Sequence, residues 1–146
     1  GAENTMGANP YLSAYKRAKV DAAAPEETLL LLVNEAVRSA EAARLTQDRE
    51  ARVKLLDKCR RIICELSATL NIDYGGEMAF NMLRLYIFIN RRVTDAMSGE
   101  DAGLPDALRI LRHVKETWEG AVQIVRAAGG IEAHIGAANE ASEAGG

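Results

Sequence analysis

The side chains able to do chemistry in this chain are few and poorly grouped. Cys59 and Cys64 stand five residues apart on a predicted helix, a spacing that suits neither a disulfide nor a C-x-x-C redox or zinc pair. They are expected to be reduced, structurally incidental thiols. His113 falls on the polar face of a predicted helix, where a surface imidazole is the ordinary reading and a phosphoacceptor is the chemical alternative. His134 has no metal-ligand set around it. Gly75-Gly76 lacks the G-x-x-x-x-G-K-[ST] pattern of a phosphate loop, and no strand precedes it, so it reads as a turn. No nucleophile, base and orienting group can be assembled, which favours a binding protein over an enzyme, with no cofactor and no metal.

The elements that carry these residues are helical throughout. Apolar residues recur at helical spacing in four blocks, with no stretch of strand-like alternation. The first helix is predicted from about Pro25 to Leu45, with proline at a first helical position and Glu26 and Glu27 favoured by the helix dipole. Its inward stripe is Leu29, Val33, Ala36, Val37 and Ala40. Asp48 is the expected N-cap of a second helix, Arg49 to Leu70, whose core face is Leu55, Leu56, Cys59, Ile62, Ile63, Leu66 and Leu70. Asn71 to Gly76 break the pattern. A third helix, Glu77 to Ser98, turns Ala79, Met82, Leu83, Tyr86, Ile89, Val93 and Met97 inward. A fourth, Leu104 to Ala127, does so with Leu104, Ala107, Leu108, Leu111, Val114, Trp118, Val122 and Val125.

Four helices of similar length joined by short loops pack most simply as an all-α, antiparallel up-down four-helix bundle. The expected organisation is a disordered start or expression residue over 1–8, one bundle domain over 9–128 with a short N-terminal capping segment, and a flexible C-terminal tail over 129–146. With 146 residues, 48% of them hydrophobic, one core is affordable and a second domain is not expected.

The bundle has more large apolar side chains than its core stripes use. On the third helix Phe80 and Ile87 project away from the stripe and Phe88 points almost opposite to it, and on the first helix Leu31 opposes Val33 and Ala40. Such a surface marks a partner groove able to take an amphipathic helix. Ahead of the bundle, Tyr11, Leu12 and Tyr15 follow Pro10. One helical turn there would lay both rings over part of the groove as a displaceable lid.

Several of these residues, in their order, form a pattern: Asn9-Pro10-Tyr11 with Tyr15, Ala24-Pro25-Glu26 running into Leu29-Leu30-Leu31-Leu32, Gly75-Gly76-Glu77, Asn81, Leu85-Tyr86, Arg91-Arg92 and Glu116-Thr117-Trp118. From about Asn9 to Val122 the chain resembles the FliS family of flagellar secretion chaperones. The resemblance implies a cytoplasmic chaperone that binds the C-terminal region of flagellin, stops premature polymerisation and assists delivery to the flagellar type III export apparatus, whose gate components are further expected partners. It implies that the client's disordered end wraps the bundle, and that the N-terminal segment occupies part of the groove in the free protein. Two departures stand out: Ala24 where the family often has a capping serine, and Val33-Asn34-Glu35 where it more usually has Tyr-Asp-Gly.

The formal charge of −3 is mild and its cations are scattered, so nucleic acid and anionic lipid are not expected partners. The longest strictly apolar run, Leu29 to Val33, is far short of the roughly 20 residues that cross a bilayer. A monomer is expected, with dimerisation through the apolar surface open when no client is present. A histidine phosphotransfer bundle using His113 and a structural helical adaptor for another export component are the alternative functions.

Overall fold

The computed structural model describes residues 25–70 and 72–145, with side chains from Glu26 to Leu70 and from Gly75 to Gly129. The described residues form four helices: α1 (Pro25–Leu45), α2 (Arg49–Ala68), α3 (Ile72–Met97) and α4 (Gly103–Gly145). α1 has the predicted limits and carries Glu26 and Glu27 in its first turn, where free N–H groups favour negative charge. Asp48 caps α2, its Oδ2 accepting the Ala51 N–H at 3.2 Å.

α2 stops at Ala68, two residues before the predicted Leu70. The Thr69 hydroxyl donates to the Leu66 carbonyl at 2.7 Å and so satisfies one of the helix's last acceptors. In α3 the predicted start at Glu77 is preceded by an extra turn from Ile72. The two pieces meet at Gly76, whose φ of 58° and ψ of −134° are non-helical and accessible mainly to glycine. At the far end of α3, Gly99 has a φ of 105°. Gly99 N–H bonds the Ala96 carbonyl at 3.1 Å and Glu100 N–H bonds the Asp95 carbonyl at 2.9 Å, the paired bonds of a glycine-terminated helix.

α4 was predicted to end near Ala127, and the structure extends it to Gly145. Extending an existing helix adds one hydrogen bond per residue without a new nucleation cost, and the alanines and glutamates beyond Gly130 are good helix formers. Composition judged as an isolated segment underestimates that continuity. Packing nevertheless stops early. Val125, predicted to face inward, is 52% exposed. Arg126 Nη2 lies 3.3 Å from Glu27 Oε1, so Val125 is level with the first turn of α1, where the neighbouring helix ends.

Each helix packs on two neighbours, α1 on α2 and α4, and α3 on α2 and α4. With short connectors, this is an up-down ring of four antiparallel helices. The core runs through Val33, Ala36 and Ala40 of α1, Leu56, Ile62 and Leu66 of α2, Met82, Ile89 and Val93 of α3, and Leu104, Leu111 and Val114 of α4. Leu32, outside the predicted stripe, is buried as well, because a helix wedged between two neighbours hides a wider arc than one stripe. The predicted inward residues Leu29, Val37, Leu55, Leu70, Met97 and Trp118 lie partly buried against this core.

Two polar ties fix α3 against α4, and a further one joins α3 to the connector between them. The Trp118 indole N–H donates to the Tyr86 hydroxyl at 2.8 Å. Burial pushes the Tyr86 phenol up to about 12, partly opposed by that bond. Arg92 reaches Asp95 at 2.6 Å, Asp106 at 3.1 Å and Glu100 at 3.4 Å, joining the end of α3, the connector and the start of α4. Gly103 allows the close approach: a β-carbon there would sit 2.3 Å from the Arg92 carbonyl oxygen.

Candidate functional site

What the fold leaves over is concentrated on the outer face of α3. Counting about 100° per residue, Phe80, Leu83, Arg84, Ile87 and Arg91 fall on one side of the helix, opposite Met82, Ile89 and Val93. Phe80 and Ile87 are each 50% exposed, as predicted for an outward apolar pair. Leu83, predicted to face the core, is half-buried between them. This is the edge position that the wider arc of α3 predicts once α2 is seen to pack beside it.

Phe88 does not share this face. It is half-buried and lies roughly 80 to 100° around the helix from Phe80 and Ile87. Arg92, one turn on, reaches Asp106 of α4, so Phe88 occupies the flank of α3 turned toward α4. Leu31 is half-buried too. Glu35, one turn after it, pairs with Lys58 of α2 at 2.7 Å, which puts Leu31 on the flank of α1 turned toward α2. The four candidate residues therefore divide: Phe80 and Ile87 form one open patch, and Leu31 and Phe88 flank other helix junctions. Tyr11, Leu12 and Tyr15, with the capping segment they belong to, lie outside the described residues.

Between α2 and α3 runs an open groove of about 390 Å³ lined by Arg60, Ile87, Asn90, Arg91, Thr94 and Asp95. Asn90 spans it, donating from Nδ2 to the Arg60 carbonyl at 3.3 Å and to Cys64 Sγ at 3.4 Å. Its Oδ1 is buried without a hydrogen-bond partner. On α2, Arg60 and Arg61 are both held by Asp57, at 2.8 Å and 2.9 Å. Burial works against ionisation of Asp57, but the hydrogen bonds and charges of the two arginines outweigh it and hold the carboxyl below the usual range. Asn90 and Thr94 did not stand out as site residues in the sequence, although their spacing of three and seven from Ile87 is the signal that would have found them.

The Val33-Asn34-Glu35 segment of α1 faces the interior. Val33 is fully buried and Glu35 nearly so. Burial is the largest influence on the Glu35 carboxyl and raises it, yet Lys58 and Arg38 together outweigh that and hold it below the usual range. Of the two thiols, Cys59 is buried and pushed up to about 12 by burial, whereas Cys64 is exposed. His113 is exposed on α4. Among the described residues no group of three potential metal ligands is assembled, and no helix is long and apolar enough to cross a membrane.

The chain's similarities point in one direction. Residues 7–125 match the family model described as flagellar protein FliS. The chain is 30% identical over 116 residues to the flagellar secretion chaperone FliS of Vibrio cholerae, covering 74% of this chain and 85% of that protein. It is 32% identical over 122 residues to the flagellar secretion chaperone FliS of Bacillus subtilis, covering 81% and 90%. Against the flagellar secretion chaperone FliSB of Pseudomonas aeruginosa it is 32% identical over 107 residues, covering 70% and 85%.

Proposed function

The chain belongs to the FliS family, a family of flagellar export chaperones and not of enzymes, and from that premise we propose that it binds the C-terminal region of flagellin in the cytoplasm and holds it unpolymerised for delivery to the type III export apparatus. The observation that carries this reading is the open apolar patch of Phe80 and Ile87 beside the α2–α3 groove. Phe80 and Ile87 are each already half-covered, so burying the rest contributes on the order of 1 kcal/mol each, and a client that folds as it binds needs a broad apolar surface to offset its ordering. Leu31 and Phe88 are secondary contacts in this proposal, reached where the client crosses the α1–α2 and α3–α4 flanks.

Titration calorimetry with a flagellin C-terminal fragment tests the proposal. One-to-one binding with a negative heat-capacity change is expected, since apolar burial gives that sign. Absence of binding by folded protein would overturn it.

A further inference from the structure

The outer face of α3 has a sequence register of its own, separate from the stripe that builds the core. Phe80, Leu83, Arg84, Ile87, Asn90 and Arg91 follow the spacing 3, 1, 3, 3, 1, which assigns them to positions a, d, e, a, d and e of two successive heptads. All six fall within about 120° of arc at 100° per residue. The seam is apolar at Phe80, Leu83 and Ile87, polar at Asn90, and edged by two arginines one heptad apart.

Those arginines are the unusual feature. Arg84 and Arg91 are exposed, and among the described residues neither has an ion-pair partner, whereas Arg60 and Arg61 share Asp57 and Arg92 is engaged by three carboxylates. The one acidic residue lining the groove, Asp95, is among those three. In a chain whose formal net charge is −3, this face therefore presents unneutralised positive charge beside exposed apolar surface. Asn90 is the one polar residue of the seam, its amide turned to α2 through the Arg60 carbonyl and Cys64 Sγ.

We propose that the α3 outer face is a half-coiled-coil dock for an amphipathic helix of the client carrying carboxylates at heptad spacing, in register with Arg84 and Arg91. The inference rests on the reading that this face receives the client, and it adds the chemistry that selects it. Large apolar side chains of the incoming helix pack on Phe80, Leu83 and Ile87. Its flanking Asp or Glu residues, spaced about 10.5 Å apart like the two arginines, meet the guanidinium groups. Asn90 interrupts the apolar seam at one d position and so sets the register, since a large apolar side chain packs on Phe80, Leu83 and Ile87 but gains less at Asn90.

The probes are two three-heptad peptides with leucine at a and d, one with glutamate and one with lysine at the flanking e and g positions. The like charges keep each peptide from pairing with itself. Binding to the full chain is measured by calorimetry at two salt concentrations, with a flagellin C-terminal fragment titrated in parallel. The Glu peptide is expected to bind roughly tenfold or more tightly than the Lys peptide, to weaken with salt, and to compete with the fragment. R84E/R91E alters two exposed side chains and should reverse the preference.

Equal binding of the two peptides, or binding of the fragment but of neither peptide, would overturn the proposal while leaving the flagellin reading intact. A fragment that fails to bind beside a Glu peptide that binds would remove flagellin as client and support the acidic-helix dock. A chain dimer that R84E/R91E dissociates, with no peptide binding, would assign the face to a second copy and overturn the proposal.

Discussion

Replacing Tyr86 by phenylalanine isolates the bond between the two helices that frame the site's far side. The ring is 1% exposed, so Tyr86→Phe removes one oxygen from the interior and leaves the packing unchanged. What is lost is the 2.8 Å bond from the Trp118 indole. Trp118 is only partly buried, so its N–H can turn to water, and the cost falls near the usual net value for one bond, about 1 kcal/mol. For a domain of this size that is roughly 3–5 °C in Tm.

The pH dependence makes the test sharper. Burial pushes the phenol up to about 12, while in the unfolded chain it ionises near 10. Between these values the folded state binds the additional proton, so raising the pH favours unfolding and stability falls, on the order of 2–3 kcal/mol across the window. The variant has no phenol to ionise. Wild type should therefore be the more stable below about pH 10, and the two curves should cross at about pH 11. Urea denaturation followed by the fluorescence of Trp118, the chain's one tryptophan, measures both parts. Stabilities equal within about 0.3 kcal/mol at neutral pH, or curves that stay parallel through the alkaline range, would refute the reasoning.

Other expectations follow from the same packing. Glu35→Gln removes a carboxylate 2.7 Å from Lys58 and should cost roughly 1–3 kcal/mol at neutral pH. Because the folded carboxyl ionises below the usual range, its contribution is present above about pH 4 and is lost as pH falls below it, so the gap between wild type and variant should close in acid melts. Gly103→Ala puts a methyl 2.3 Å from the Arg92 carbonyl. Helix propensity alone would make it stabilising, yet overpacking should win and lower stability by about 1–3 kcal/mol in urea. A thiol reagent should modify exposed Cys64 in the native protein and reach Cys59, buried and pushed up to about 12, only in denaturant.

The sequence was most legible where one local signal decided the outcome. Pro25 with two glutamates marked the start of α1, and Asp48 marked that of α2, because capping depends on residues within one turn. Core stripes were readable for the same reason, through periodicity. What escaped depended on which helix lies beside which. Phe88 and Ile87 are adjacent in sequence and both off the core stripe, but α4 partly covers the flank of one and nothing described covers the other to the same degree. Val125 continues the core spacing of α4 and is exposed because α1 has ended beside it. The Arg92 network joins residues 14 positions apart, a proximity that only the crossing at Gly103 creates. Glu35, a departure from the family's usual residue, finds its partner 23 positions away on α2.

The central claim, that the exposed face of α3 is where the client sits, is tested most directly by titrating a flagellin C-terminal fragment into wild type, Phe80→Asp/Ile87→Asp and Leu45→Asp. Leu45 is an equally apolar side chain, 68% exposed at the end of α1, and serves as the control for any surface leucine. The account predicts that the α3 double variant, still folded by circular dichroism, loses at least roughly tenfold in affinity from two uncovered apolar contacts while Leu45→Asp binds like wild type. Equal affinities for all three proteins would contradict it.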